Sequence, residues 1–261
     1  MRTSLRAEVR KLRYQRSTYG ILISACALAA VSSISLIATA QLPQQGGMFL
    51  NLTDEATMHL VMSSATAGYI FALVLGIVMS TTEFRHSTAV ATYLAQPKRR
   101  TVMVAKMMIA AVMGVVVQLV STTVGMLAGY IYVQRYDHFA LAPDTYGRIL
   151  AGSVLVGAVL AIVGVAVGSL IRSQMVAVVV SLLWLQLVEG LIIVFADWLG
   201  KWSMRSAITS VLDVAVRVRS PQATIDTTNG FGPWPSVALL LGYAALFAVA
   251  ATVTSMRRDV E

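Results

Sequence analysis

Six long apolar runs constrain the fold of this chain more than any other feature of its sequence. A helix that crosses lipid needs about 20 predominantly apolar residues, and runs of that length lie at 18–40, 56–80, 107–133, 147–171, 175–196 and 235–256. Hydrophobic residues make up 57% of the 261 residues and charged residues only 12%, which is typical of a membrane protein. We therefore predict an all-α membrane protein, a single unit over 1–261 with six transmembrane helices, here called spans one to six.

The positions of Lys and Arg predict the orientation of these spans. Positive charge accumulates in cytoplasmic segments, and 14 of the 20 Lys and Arg residues lie on the side that holds both termini. Residues 1–17 contribute six of them and residues 81–106 contribute five. Both termini are therefore expected in the cytoplasm. The net charge of +8 is then explained by the orientation of the spans and by attraction to anionic lipid. It does not indicate binding to a nucleic acid, because no base-reading motif accompanies it.

The first residues predict a helix at the membrane surface. Leu5, Val9 and Leu12 share one face of a helix, and basic residues fill much of the remainder, which favours an amphipathic cytoplasmic helix over 1–17 that lies on anionic lipid. A plain basic tail that sets the topology is the alternative. A cleaved signal peptide is a further alternative, but the apolar run that follows exceeds the usual 7–15 residues of a signal core, so we expect a retained helix.

The outer segment over 197–234 is too long for a simple turn. Its middle, from Lys201 to Arg219, alternates small, apolar and charged residues at nearly helical spacing. We expect one or two short re-entrant helices there, ending near Ser220 and Pro221.

Small residues recur at helix-repeat spacing in spans three and four. Such stripes let helix backbones approach each other closely in lipid, so they predict helix packing more often than a substrate path. The residues are Ser121, Gly125 and Gly129 in span three and Ser153, Gly157, Ala161, Gly164 and Gly168 in span four.

The residue patterns of familiar catalytic sites are missing from the sequence. It has no phosphate-binding loop, no zinc-binding His-Glu pair, no nucleophile elbow and a single cysteine, Cys26. We expect a chain that is not itself an enzyme and that binds no metal or cofactor of its own.

Glu189 is the only carboxylate within the six runs, and Gln186 precedes it by three residues, on what would be the same helix face. A carboxylate inside a membrane suggests function by default, and with Trp184 and Gln186 it is our candidate for a substrate path. Helix association through hydrogen bonds is the alternative, and the sequence favours neither. We expect Glu189→Gln to alter the substrate dependence of ATP turnover more than folding.

A polar stretch between spans two and three carries the most specific pattern. It reads TTEFRHSTAVATYLAQPKRRTVMVAKM, and Val90, Tyr93 and Leu94 can share one helix face before Pro97. The stretch resembles that of the ABC-2 type transporter permeases, in which an acidic-aromatic-Arg motif ends span two, a coupling helix follows, and a Pro-x-x-Arg element and a Lys open span three. The positions that fit are Glu83, Phe84, Arg85, Thr88, Pro97, Arg100 and Lys106. Ser87 stands where Gly is usual.

This resemblance implies the protein's partners. A permease of this kind pairs with a second copy or a sister permease and with two cytoplasmic ATPases, which would bind the ATP and Mg²⁺. The cytoplasmic coupling loop over 81–106 would reach the ATPase, with His86, Tyr93 and Leu94 among the contacting residues. Glu83 and Arg85 would fix the angle of the coupling helix through charge-assisted hydrogen bonds.

Three functions are consistent with the sequence. The first is the permease subunit of an ATP-driven exporter that moves a hydrophobic or amphipathic compound, such as an antibiotic, drug, peptide or lipid, across the cytoplasmic membrane of a bacterium. The second is a secondary transporter or channel that needs no ATPase, and the third is a membrane scaffold that recruits partners.

Overall fold

The computed structural model describes residues 15–40, 55–85, 99–134, 143–171, 173–212, 217–220, 223–226 and 231–257. Six helices in these residues are long and apolar enough to cross a membrane. Span one is α1, Arg16–Ala40, and span two comprises α2, Glu55–Ser64, a 3₁₀ turn, Ala65–Gly68, and α3, Tyr69–Arg85. Span three is α4, Arg99–Val133, and span four is α5, Pro143–Ile171.

Span five is interrupted and is followed by short elements. It comprises α6, Gln174–Leu183, a π-helical turn, Trp184–Val188, and α7, Glu189–Phe195. Two short helices come next, α8, Asp197–Gly200, and α9, Met204–Val211. Strands β1, Arg217–Ser220, and β2, Ala223–Asp226, then form an antiparallel pair, and span six is α10, Pro233–Arg257.

The six predicted spans are confirmed, with corrected limits. Span three begins at Arg99 rather than near Met107, because Arg100 to Lys106 continue the helix. Two short helices do follow span five, although α9 ends at Val211 instead of near Ser220. Their re-entrant position in the membrane stays a prediction. The alternating Arg-Val-Arg sequence that follows favours an extended strand, and the strand register places Arg217 opposite Asp226. The surface helix expected over 1–17 lies mostly outside the described residues.

Spans two, three and four form the centre of the bundle. At least 56% of the most apolar window of each is buried, against at most 22% in spans one, five and six. Glycines bring spans two and four together along their length. A Cβ on Gly164 would overlap the carbonyl oxygen of Leu73 and lie 3.0 Å from Gly76 Cα, and a Cβ on Gly168 would lie 2.9 Å from the carbonyl oxygen of Ile77. The stripe in span four is therefore a packing surface, as predicted.

Neighbouring side chains hydrogen-bond the backbone at the break in span two. Ser32 Oγ of α1 donates to the carbonyl oxygen of Ser64 at 2.8 Å, and Gln118 Nε2 of α4 donates to that of Thr66 at 2.9 Å. The Gln118 side chain is fully buried, and its Nε2 also lies 3.1 Å from Thr122 Oγ1. Spans one and three thus add donors to the carbonyl oxygens at the break, where the Thr66 oxygen also accepts from the backbone N–H of Tyr69.

We expect Gly164→Ala to destabilise the protein, because the new methyl group meets backbone atoms that cannot rotate away. Overpacking of this kind costs about 1–3 kcal/mol. Gly242→Ala in span six is the matched control, since nothing lies within 4 Å of a Cβ there, and alanine is favoured over glycine inside a helix by about 0.5–1 kcal/mol. Thermal unfolding of both variants in one detergent measures the difference. Equal midpoints would contradict the close approach of spans two and four.

Candidate functional sites

Two groups of candidate residues lie at opposite ends of the bundle. The first end, which we call the basic end, holds the last turn of α3 and the first turn of α4. The second, the tryptophan end, holds α8, α9 and the start of span six, with Trp198, Trp202 and Trp234. Tryptophan is enriched where membrane helices meet the headgroups, so this grouping is consistent with a membrane interface at that end.

The motif between spans two and three begins in the last turn of α3. Glu83, Phe84 and Arg85 are the final residues of that helix, and α4 begins at Arg99. Since the two helices run in opposite directions, the connection between them joins two helix ends on the same side of the bundle. His86, Thr88, Tyr93, Leu94 and Pro97 lie outside the described residues, so the coupling helix stays a prediction.

The turn before this motif is fixed to its neighbours. Gln15 Nε2, directly before α1, donates to Thr82 Oγ1 at 3.3 Å. Thr81 and Thr82 donate their hydroxyl hydrogens to the carbonyl oxygens of Ile77 and Val78 at 2.8 and 2.6 Å, and Ser80 and Thr81 are buried. The start of span one and the end of span two therefore meet one residue before Glu83.

Lys106 lies deeper in span three than the sequence suggested. It follows the start of α4 by seven residues, about two helical turns, and its side chain is only 5% exposed. Met103 and Met107 beside it are also buried. Its placement as the residue that opens span three is corrected, because the helix begins at Arg99.

At the tryptophan end, Glu189 holds α9 against span five. Its carboxylate accepts a hydrogen bond from the backbone N–H of Arg205, and Trp184 Nε1 donates to Glu189 Oε1 at 3.2 Å. Arg205 sits at the second position of α9, where an N–H has no acceptor within the helix. The carboxylate therefore pairs an otherwise unsatisfied donor at the positive end of a helix, an arrangement that stabilises both.

The Arg205 side chain makes a second connection to span five. Its Nη1 donates to the carbonyl oxygen of Gln186 at 2.9 Å and lies 3.4 Å from Gln186 Oε1. That carbonyl belongs to the π-helical turn. The spacing of Gln186 and Glu189 predicts a shared helix face, but the structure places them differently. The Gln186 side chain is exposed, whereas Glu189 is 4% exposed. The wider π turn separates the directions of their side chains.

Further hydrogen bonds order α9 and join it to span six. Ser203 Oγ accepts from the backbone N–H of Ser206 at 3.0 Å and so caps the helix. The carbonyl oxygen of Phe231 accepts from Ser210 Oγ at 2.7 Å and from Ser236 Oγ at 2.8 Å. Short as it is, α9 is therefore fixed at both ends, to span five and to span six.

A cavity of about 440 Å³ lies beneath this structure. Spans five and six form two of its walls, spans two and four its floor, and residues 199–204 its cover. Its lining residues are Leu73, Val163, Val167, Val180, Ser181, Trp184, Leu185, Glu189, Ile192, Leu199, Trp202, Ser203, Met204, Tyr243 and Phe247. Of the three predicted substrate-path residues, Trp184 and Glu189 line this space and Gln186 does not.

Several residues of this site have only weak signals in the amino-acid sequence. Arg205, Trp202, Tyr243 and Phe247 were not predicted, since each is distant in sequence from Glu189. A Ser three residues before another Ser is a common pattern, so the Ser203 cap was not distinctive. In the part of the chain that the structure describes, no group of three or more His, Cys, Asp or Glu side chains could hold a metal ion.

A comparison with known protein families agrees with the six-span architecture. The model of the ABC-2 family transporter proteins matches residues 4–187, more than half of the chain. The chain belongs to the ABC-2 transporter family, which makes it a multi-pass membrane protein and a permease of an ABC transporter that partners an ABC ATPase. A search of curated proteins found no match.

We expect Glu189→Leu to accelerate hydrogen exchange of the Arg205 amide. No helical acceptor protects that N–H, so its protection depends on the carboxylate, and losing a hydrogen bond of about 1.4 kcal/mol corresponds to about tenfold faster exchange. Glu189→Gln should retain part of the protection, because an amide oxygen still accepts. Exchange measured by mass spectrometry on peptides that cover 203–206 gives the result.

Gln186→Ala is the control for this measurement, since it removes an exposed side chain of the same span and leaves the carboxylate in place. Unchanged exchange at Arg205 in Glu189→Leu would show that Glu189 does not hold the start of α9.

Proposed function

We propose that this chain is the transmembrane subunit of an ATP-driven exporter in the cytoplasmic membrane of a bacterium, moving a hydrophobic or amphipathic compound outward. Two such permeases, identical or sister chains, would work with two ATPases that carry the ATP and Mg²⁺. Membership of the ABC-2 family carries this proposal, because that membership supplies the ATPase partner. The export direction and the class of cargo go beyond it.

The proposed topology has both termini, and therefore the basic end, in the cytoplasm. The counts of Lys and Arg support this orientation. The coupling segment then faces the ATPase, and the tryptophan end faces the outer side, where α8 and α9 would be re-entrant elements in the outer leaflet. The N-terminal segment would lie on the inner surface as an interface helix.

The packing of the basic end supports a coupling role for residues 81–106. A displacement of the connection between α3 and α4 acts on the ends of spans two and three. The hydrogen bond from Gln15 to Thr82 extends that action to span one. Because glycine contacts lock spans two and four together, movement of α3 carries α5 with it rather than being absorbed by loose side chains.

The geometry of Glu189 favours this function over a secondary transporter. A proton-carrying carboxylate exchanges partners during its cycle, but both oxygens of Glu189 accept hydrogen bonds from the protein itself. Its position at the start of α9 is that of a structural contact. An ATPase partner therefore accounts for the driving force better than proton movement through this residue.

We expect Arg85→Ala to uncouple ATP hydrolysis from the permease. The tagged protein would be purified from its native host in mild detergent and its ATP turnover measured with whatever ATPase accompanies it. Loss of coupling should lower ATP turnover by about fivefold or more, because typical coupling free energies correspond to factors of about fivefold at the lower end. The permease itself should remain folded. The physical reason is that Arg85 ends the helix that would carry the motion.

Lys201→Ala is the matched control, because it removes one exposed basic side chain at the opposite end. If no ATPase accompanies the protein in several gentle detergents, the exporter proposal is wrong and a secondary transporter or channel replaces it. If Lys201→Ala lowers turnover as much as Arg85→Ala, the coupling role of the motif is wrong.

A further inference from the structure

The cavity at the tryptophan end combines an apolar interior with one carboxylate. We propose that it binds a hydrophobic organic monocation, with the positive charge beside Glu189 and the apolar body among the aromatic side chains. The ligand's role as cargo rests on the proposed export function, whereas its binding does not.

The charge distribution selects the sign of the ligand. Glu189 is the only Asp, Glu, Lys or Arg among the lining residues, and its side chain is almost fully buried. Among the described residues, it accepts hydrogen bonds from the Trp184 ring N–H and from the backbone N–H groups of Met204 and Arg205. The Arg205 guanidinium is near enough to attract the carboxylate, but its own hydrogen bond goes to the carbonyl oxygen of Gln186. A carboxylate has about four acceptor positions, so these three hydrogen bonds leave one for a ligand.

The walls suit a delocalised or alkylated cation. Trp184, Trp202, Tyr243 and Phe247 all line the cavity, and the faces of aromatic rings attract cations, most strongly where water is excluded. Two of these rings are held in place. Trp202 packs edge to face against Phe231 at 4.9 Å, and the Tyr243 hydroxyl donates to the carbonyl oxygen of Trp202 at 2.8 Å.

The size of the cavity matches a small organic molecule. Its volume of about 440 Å³ falls in the range of about 300–1,000 Å³ that is usual for ligand pockets. The floor, formed by Leu73, Val163 and Val167, offers no charge or hydrogen-bond donor. A strongly hydrated or anionic compound would therefore lose its water without compensation.

Access follows from the arrangement of spans five and six. Span six packs mainly on α5 and α9, and α9 also contacts span five. The outward faces of both spans are apolar and exposed, including Leu187, Leu191 and Leu246, and Trp184 and Trp202 are each more than half exposed. An amphipathic ligand dissolved in the membrane could thus enter between the two spans without crossing a polar barrier.

Two probes of nearly equal shape test the role of charge. Methyltriphenylphosphonium is a monocation, and triphenylphosphine oxide is its uncharged counterpart. Binding of each to the full-length chain in nanodiscs of zwitterionic phosphatidylcholine would be measured by equilibrium dialysis. We expect the cation to bind at least tenfold more tightly than the oxide in the wild type, and Glu189→Gln to reduce this ratio to less than threefold.

A second variant keeps the test valid if Glu189→Gln disturbs α9. Val167→Trp fills the cavity from its floor without touching the carboxylate, and we expect it to abolish saturable binding of both probes. Val112→Trp is the matched control, since Val112 is an exposed residue of span three, and it should bind like the wild type. Equal affinity for the two probes in the wild type, or binding unchanged in both Glu189→Gln and Val167→Trp, would overturn the proposal.

The proposed function and this inference fail in different ways. Selective cation binding without an associated ATPase would support the cavity and contradict ATP-driven export. An ATPase that depends on Arg85, together with no saturable binding of either probe, would support the permease and overturn the cavity as a cation site.

Discussion

The need to satisfy every backbone polar group away from water explains both interruptions in these spans. Within a bilayer an unpaired carbonyl costs several kcal/mol, so a break in a helix is favoured where a neighbour adds a donor. Span two breaks where Ser32 and Gln118 bind its carbonyl oxygens. Span five widens into a π turn where the Arg205 guanidinium binds the carbonyl oxygen of Gln186. The polar side chains of the bundle thus allow departures from regular helix at two selected places.

These two places have different surroundings and therefore different consequences. The break in span two lies inside the bundle, between spans one and three. Of its two donors, Gln118 is fully buried and Ser32 is partly buried. The turn in span five lies near one end, and its donor comes from a short helix outside the spans. A ligand that entered beside span five would meet rings and a carboxylate held by only a few hydrogen bonds. The central spans are less adaptable, because their glycine contacts leave no space for repacking.

The architecture is predictable from the sequence because every helix that crosses lipid needs about 20 predominantly apolar residues. Runs such as 107–133 identify a span by length and hydropathy alone, and the spacing of Gly157, Gly164 and Gly168 identifies its packing face. The predicted start of span three lies too late in the chain, because the charge of Arg99 and Arg100 marks the edge of the apolar run but does not end the helix, in which Arg has a high propensity. The hairpin after α9 is not predicted, because the alternation of small, apolar and charged residues up to Arg219 is also close to helical spacing.

The candidate sites were predicted less completely, for a physical reason. Glu189 was identifiable because a single carboxylate in an apolar run is costly and therefore conspicuous. Its partner is a backbone N–H, which carries no residue-specific signal. Tyr243 and Phe247 are ordinary residues in an apolar helix, and only the tertiary arrangement places them opposite Trp184. The residues around Arg85 were recognised from a family pattern, which indicates a role without revealing the contacts behind it.

The π turn at Trp184–Val188 also affects how related chains should be compared. Such a turn is equivalent to one residue inserted into a regular helix, and each residue of an α-helix turns the chain by about 100° because 3.6 residues complete a turn. The wider turn absorbs this residue, so a homologue that is one residue shorter and has a regular helix here would keep the residues on either side in the same directions. An alignment without a gap in this turn would pair Glu189 with a residue of another helix face, so residue identity at this position indicates a shared cavity only when the helix length before it is taken into account.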